Sequence, residues 1–202
     1  MLCDGDSTHA AQNLIYAQGQ NGLWRVPLGP TPATTTQLFS ANTVLGMALW
    51  GPTSTVYFAA GAWGQPCTIE WVKTTQTTAG ATPLTTITGG ANSIATDGVN
   101  VYALGYSPNS LFAISIATGE STVLAINGPG QGLGNIATDG KNVYVTNGNI
   151  YRVPVNASMV NLSTATPLVL GSTWEGGAVP GLAVDDTSVY IATYYDIYKA
   201  KK

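Results

Sequence analysis

The sequence predicts an all-β fold in which one small unit is copied five times, and three observations carry the prediction. A β-branched residue stands beside a tyrosine in five strand-like runs, Ile15-Tyr16, Val56-Tyr57, Val101-Tyr102, Val143-Tyr144 and Val189-Tyr190, with the tyrosines 41, 45, 42 and 46 residues apart. Three of these pairs follow, at matching distance, the runs Ile94-Ala-Thr-Asp97-Gly98, Ile136-Ala-Thr-Asp139-Gly140 and Leu182-Ala-Val-Asp185-Asp186. Downstream of each pair a second run alternates with period two, as half-buried strands do.

Each unit reads from its parts in order. A first strand ends in a tight turn, for which Asp-Gly is suited because glycine takes positive φ without steric cost and aspartate bonds nearby backbone. The tyrosine strand comes next, then a loop rich in Gly, Asn and Pro. A third strand follows in every copy: Leu23-Trp-Arg-Val-Pro27, Ile69-Glu-Trp-Val-Lys73, Leu111-Phe-Ala-Ile-Ser115, Ile150-Tyr-Arg-Val-Pro154 and Ile197-Tyr-Lys-Ala200. A Thr-rich stretch and a fourth strand are expected in four copies, around Gln37-Leu38-Phe39, Leu84-Thr-Thr-Ile87, Thr122-Val-Leu-Ala125 and Pro167-Leu-Val-Leu170. Four short strands in about 40 to 45 residues is the pattern of a propeller blade. The predicted fold is a single β-propeller domain over 1–202, with repeats at approximately 1–43, 44–91, 92–131, 132–178 and 179–202. Copy two departs most, with Leu49-Trp50-Gly51-Pro52 in place of the Asp-Gly turn and a longer loop from Gly61 to Cys67.

These residues carry a resemblance. Asp139-Gly-Lys-Asn-Val-Tyr-Val-Thr-Asn147 contains the Tyr-Val-Thr-Asn stretch of the YVTN propeller repeat. The last copy, Leu182 to Lys199, together with Gly22-Leu-Trp-Arg-Val-Pro27 and Ile150-Tyr-Arg-Val-Pro154, resembles the related bacterial YWTD-like and NHL-like blades. The resemblance covers almost the whole chain. It implies a scaffold of the kind found in surface proteins, ligand-binding modules and a few lyases.

Composition sets bounds on function. The chain has 202 residues, 45% of them hydrophobic, and only 8% charged residues against a usual share of about 25%. Polarity comes instead from Thr, Ser, Asn, Gln and Gly, which suits work outside the cytosol with neutral polar ligands. A net charge of −3 leaves no basic stripe for phosphates, so nucleic acid is excluded as a partner. No apolar run approaches the roughly 20 residues of a membrane span. The opening Met1-Leu-Cys-Asp-Gly-Asp has neither a charged n-region nor an apolar h-region, so it does not read as a signal peptide. By repeat register Leu2 to Gly5 match the end of a first strand, and copy five stops after its third strand at Lys202. The expectation is a chain that begins inside one blade and ends inside another, exported by a segment outside this sequence. Two closures fit: a five-bladed ring with one incomplete blade, which leaves fewest open edges, or a segment of a larger propeller whose edges pair with another chain. Register places Cys3 at a first turn and Cys67 in a second-to-third loop, at opposite ends of a blade, so a bridge between them is not expected.

Catalysis has little to draw on. His9, near Asp4 and Asp6, is the single histidine, and zinc sites of the common types are excluded by count. The propeller lyases that the resemblance brings in depend on a histidine, and none lies in a later repeat. Asp97, Asp139, Asp185 and Asp186 recur at one blade position, but separate turns do not converge on one calcium ion, and turn chemistry accounts for them. Glu70, Glu120 and Glu175 sit in different blades and loop classes, unlike a glycosidase pair. No catalytic residue, metal site or cofactor is therefore assigned.

Tyrosines of the repeat, with Trp24, Trp71, Phe112, Tyr151 and Tyr198, recur at corresponding strand positions and are expected in or near the core. The informative aromatics break the repeat. Trp63, Tyr106, Tyr194 and Tyr195 lie in second-to-third strand loops, and Trp174 lies in the long connection Gly171–Gly181. The same face receives Gln65, Asn109, Gln131 and Glu175, besides Asn147, Asn149 and Asp196. Flat rings beside neutral amides suit a sugar or an extended peptide, by stacking and by orientation. The expected function is a non-enzymatic binding module of the bacterial surface or periplasm, with a neutral glycan, peptide or protein partner. The alternative is a structural propeller within a larger surface or filament assembly, self-associating through blade edges; a lyase or hydrolase ranks third.

Overall fold

A computed structural model describes residues 2–4, 12–17, 22–28, 34–40, 43–106, 109–127, 133–171 and 181–202. The described strands form five sheets that follow the five repeats in order. Blade one holds β1 (Leu2–Asp4), β2 (Gln12–Ala17), β3 (Leu23–Leu28) and β4 (Thr36–Phe39). Blade two holds β5 (Val44–Trp50), β6 (Thr55–Ala60), β7 (Cys67–Lys73) and β8 (Thr82–Ile87). Blade three holds β9 (Ala91–Thr96), β10 (Asn100–Tyr106), β11 (Asn109–Ser115) and β12 (Ser121–Ile126). Blade four holds β13 (Ile136–Thr138), β14 (Asn142–Thr146) and β15 (Ile150–Pro154), followed by the short β16 (Val160–Asn161). Blade five holds β17 (Gly181–Val184), β18 (Ser188–Ala192) and β19 (Ile197–Lys201). Within each blade the strands meander antiparallel, as short connections require.

Burial explains which runs read as strands. The second strands β6 and β10 are covered on both faces, so Val56 to Ala60 and Val101 to Leu104 are continuous apolar runs. Outer strands are covered on one face and alternate, as Ile150-Tyr-Arg-Val-Pro154 does from Arg152 onward.

The chain divides into two compact units, Met1–Gly90 and Ala91–Lys202, and the division falls at the boundary between copies two and three. In the first unit Leu23 and Leu38 pack with Val56, Phe58, Ala60 and Val72, and Phe39 lies tilted against Phe58 at 4.9 Å between ring centroids. In the second, Tyr102, Leu104 and Leu111 of blade three pack against Val143, Val145 and Val153 of blade four. Tyr144 and Ile150 of blade four then pack against Val189 and Ile191 of blade five. Each fully buried Leu, Ile or Val contributes about 1.5 to 3 kcal/mol. The repeat is therefore a device for giving every blade a neighbour to bury against.

Four expectations need correction. Tyr57, Tyr102, Tyr144 and Tyr190 oppose Trp71, Ala113, Arg152 and Lys199, the third residue of each third-strand run. Tyr16 instead opposes Trp24, the second residue of its run, so copy one is one residue out of register with the other four. A slip of one turns a strand's side chains to the opposite face. Trp71, the third residue of its run, does not correspond to Phe112, Tyr151 and Tyr198, the second residues of theirs, which oppose Ala103, Val145 and Ile191. The fourth strand expected at Pro167 to Leu170 is reduced to one bridge, Ile150 to Val169. Pro167 has no N–H to donate there, and the preceding chain goes to blade three, where β16 pairs parallel with β12 and Leu162 is buried. The two cysteines lie inside strands: Cys3 opposes Leu14 in β1, and Cys67 opens β7, opposite Ile87 and 1% exposed.

Candidate functional site

The turn between first and second strands is built the same way in blades three, four and five. Asp97 Oδ1 accepts the N–H groups of Val99 and Asn100 at 2.8 and 2.7 Å, and its Oδ2 accepts the Tyr102 hydroxyl at 2.6 Å. Asp139 takes Lys141 N, Asn142 N and the Tyr144 hydroxyl at 3.0, 2.8 and 2.9 Å. Asp185 takes Thr187 N, Ser188 N and the Tyr190 hydroxyl at 2.7, 2.8 and 2.7 Å. One carboxylate thus closes a turn and anchors the tyrosine five residues on. These oxygens are spent on donors of their own turn, with Lys202 Nζ added at Asp139, which is the turn chemistry expected.

Titration follows from the same contacts. Burial raises the Tyr102 phenol far above its usual range, and the hydrogen bond to Asp97 and its charge add to that. Tyr144 is raised in the same way, by burial and then by Asp139. Burial pushes the Asp139 carboxyl up, but Lys202 Nζ at 2.7 Å, the two turn N–H groups and the Tyr144 hydroxyl outweigh it and hold the group well below the carboxylate range. Asp185 is held low by the Tyr190 hydroxyl and the N–H of Thr187. Copy two lacks the aspartate and closes with a single 3-10 turn, Gly51–Thr53, after which Ser54 adopts φ 49°. There Lys73 Nζ takes the aspartate's place as organiser, donating to Thr53 O at 2.9 Å and Thr55 Oγ1 at 2.7 Å.

The opposite end of the blades carries the aromatic and amide residues. In blade three Tyr106 and Asn109 oppose each other where β10 turns into β11. Tyr106 is half-buried, its hydroxyl accepts from Asn92 Nδ2 at 3.2 Å, and burial raises its phenol. The Asn109 carbonyl accepts Asn127 N at 2.9 Å. In blade four Asn147 donates Nδ2 to Asn127 Oδ1 at 3.2 Å, and Asn149 donates to the Tyr151 hydroxyl at 3.3 Å while accepting Gly171 N at 2.8 Å. In blade five Thr193 Oγ1 accepts the N–H groups of Tyr195 and Asp196 at 3.3 and 3.0 Å, and Thr193 N donates to Asp196 O at 2.8 Å. That ordered turn holds Tyr194 and Tyr195 outward, 72% and 81% exposed.

In the first unit Trp63 is 65% exposed in the turn between β6 and β7, and Gln65 is exposed beside it, with Gln65 N donating to Ala62 O at 3.2 Å. The structure therefore brings Trp63 near Gln65, Tyr106 opposite Asn109, and Tyr194 beside Tyr195. Gln131, Trp174 and Glu175 lie outside the described residues. Residue patterns missed the linking roles of Asn92 and Asn127, because their partners are 14 or more residues away. The aspartate and tyrosine pairing was visible as a five-residue spacing in three copies.

Among the described residues no group of three or more His, Cys, Asp or Glu could hold a metal ion, and no helix is long and apolar enough to cross a membrane. No family model and no curated protein matches the chain. Solved structures do. The chain is similar to the WD40 β-propeller domain of Doa1, with TM-score 0.63, 12% identity, and 94% of this chain and 61% of that one covered. A chain of a nidogen/laminin complex follows at TM-score 0.56 and 14% identity, covering 94% and 89%. BamB from Moraxella catarrhalis matches at TM-score 0.55 and 13% identity, covering 99% and 60%. The fold is a β-propeller repeat fold, and the chain spans about six tenths of the length of the Doa1 domain and of BamB.

Proposed function

We propose that the protein is a non-enzymatic interaction module that binds a neutral glycan or peptide through the turns joining second to third strands. One observation carries the reading. Among the described residues the aromatic side chains that stand exposed are Trp63, Tyr194 and Tyr195, and all three sit in those turns. Exposed aromatics on a hydrogen-bonded turn keep apolar area in water at low conformational-entropy cost, which is the economy of a stacking surface. The corresponding turn of blade four carries the neutral amides of Asn147 and Asn149.

The propeller architecture also supports a purely structural role, and the half-buried Tyr106 with its bonded hydroxyl favours that second reading for blade three. Membership of the bacterial YVTN, NHL and YWTD-like group is supported by the working parts of Tyr144-Val-Thr-Asn147. Tyr144 anchors to Asp139, Val145 is buried, Thr146 Oγ1 accepts Asn135 N at 2.8 Å, and Asn147 bonds Asn127. A place outside the cytosol, at the surface or in the periplasm, is supported by the low charge; labelling of intact cells tests it.

The test of function is calorimetric titration with panels of neutral oligosaccharides and short peptides, comparing the parent with Trp63→Ala and with Tyr194→Ser/Tyr195→Ser. Exposed substitutions of this kind change stability by no more than about 0.5 kcal/mol. Saturable binding to one ligand class, lost in one of the two variants while the unfolding midpoint holds, is the expected result. Binding unchanged in both variants, or none across the panels, overturns it in favour of the structural role.

A further inference from the structure

The chain after β15 carries two Asn-x-Ser sequons, Asn156-Ala-Ser158 and Asn161-Leu-Ser163, and the fold treats them differently. Ala157 N donates to Pro154 O at 3.0 Å, which places Asn156 at the tip of a tight turn. Val155 N donates to Lys141 O at 3.0 Å, so this turn lies at the end of blade four that carries the Asp139 turn. Asn156 and Ser158 are exposed, and among the described residues neither side chain has a hydrogen-bond partner. No strand pairs with Ala157, Ser158 or Met159, and Met159 holds φ 47°, a conformation that residues other than glycine adopt rarely. The middle residue is an alanine, so little apolar contact is lost when the turn is drawn out of place. A segment of this kind opens locally while the sheet beside it stays intact.

Asn161 is held on every side. Its Oδ1 accepts Ser163 N at 3.1 Å and the Ser163 hydroxyl at 2.6 Å, and its carbonyl accepts Ala165 N at 3.1 Å. Asn161 pairs with Ile126 of β12, and Leu162, the middle residue of this sequon, is 1% exposed in the core of blades three and four. Presenting Asn161 to another enzyme means pulling Leu162 out of that core.

We propose that Asn156 is the acceptor of an N-linked sugar, transferred to the folded chain from a glycosyl diphosphate, and that Asn161 is not. The step forms a bond between Asn156 Nδ2 and C1 of the sugar and breaks the C1–O bond to the diphosphate, which leaves with the electron pair. The carboxamide gives up one proton to a base of the transferring enzyme, and Ser158 supplies the hydroxyl that the sequon requires. A sugar on this turn sits beside Met159, 59% exposed, and puts a hydrophilic cover over it. The turn is separate from the exposed aromatic turns, and the two assignments stand or fall separately.

The test uses the purified chain from a host without N-glycosylation, incubated with an oligosaccharyltransferase and its polyprenyl diphosphate oligosaccharide, and separately with a soluble N-glycosyltransferase and UDP-glucose. Intact mass and peptide mapping read the product, and the two arms distinguish a lipid-linked from a nucleotide-linked donor. The expected result is one sugar unit per chain, on Asn156, from at least one donor. Asn156→Gln and Ser158→Ala abolish it, while Ser158→Thr and Asn161→Gln retain it; the unfolding midpoint shows that each variant is folded. Occupancy at Asn161 is expected about tenfold or more below that at Asn156 in the folded chain. In short peptides carrying either sequon the difference disappears, which assigns it to the fold. No mass gain on the folded chain with either donor, equal occupancy at Asn161, or a gain that survives Asn156→Gln overturns the proposal.

Discussion

Tyr102 and Asp97 form the tightest of the three aspartate and tyrosine pairs, and a double-mutant cycle on them tests the physical account of the repeat. Tyr102 is 0% exposed, and its hydroxyl lies 2.6 Å from Asp97 Oδ2. Hydrogen bonds to a charged acceptor contribute about 1.5 to 3 kcal/mol. The Asp97 side is half-exposed, so water replaces the lost donor and Tyr102→Phe is expected at the low end, about 1.5 kcal/mol. Asp97→Ala removes the acceptor of two turn N–H groups and also strands a buried hydroxyl, for a total of about 3 kcal/mol. Once the hydroxyl is gone, removing the carboxylate costs only the turn, about 1.5 kcal/mol. The double variant is therefore expected near 3 kcal/mol rather than 4.5, a coupling of about 1.5 kcal/mol. Tryptophan emission is a poor probe, because four of the five tryptophans, Trp24, Trp50, Trp63 and Trp71, lie in residues 1–90. Hydrogen exchange at the β10 and β11 amides through a urea series reads the right sheet. Additivity within about 0.5 kcal/mol would refute the reasoning, since it would mean that the hydroxyl and the carboxylate act separately.

Lys202→Ala is expected to lower stability at neutral pH by about 1 to 2 kcal/mol through loss of a charge-assisted bond. Asp139 is held low in the folded state, so its contribution is present above the unfolded carboxyl value of about 3.9 and is lost as pH falls toward the folded one. The gap between parent and variant should therefore narrow below about pH 4, and a gap constant with pH in acid unfolding experiments would count against the ion pair. Gly171→Ala should cost about 2 kcal/mol by overpacking, because a Cβ there would lie 1.8 Å from the Gly148 carbonyl oxygen. An unchanged melting temperature would show that the connection after blade four relaxes at no cost.

Most of the fold was legible because its determinants are local. The tyrosine spacing, the Asp-Gly turns and the period-two runs each depend on residues within a few positions of one another, and repetition multiplied a weak signal five times. Expectations failed where pairing partners are distant. The one-residue slip in blade one depends on how Gln12–Ala17 pairs with Leu23–Leu28, a register that local residue patterns do not set. The fourth strand of blade four gave way to β16, which crosses back to blade three, a choice settled by competition for an edge and by the burial of Leu162. For the candidate site, the sequence named the exposed aromatics Trp63, Tyr194 and Tyr195, because they break the repeat, and it did not separate them from Tyr106, which breaks the repeat equally but is half-buried against Asn92.

By itself, then, the sequence determined an all-β repeat of blades, their order and the turn chemistry of Asp97, Asp139 and Asp185, since hydrogen-bonding range along the chain suffices for each. Only the tertiary structure decided which aromatics face water and how amides from neighbouring blades bond to one another. Exposure is a property of what lies across a sheet face or edge, and the residues that lie there are about one blade away in sequence.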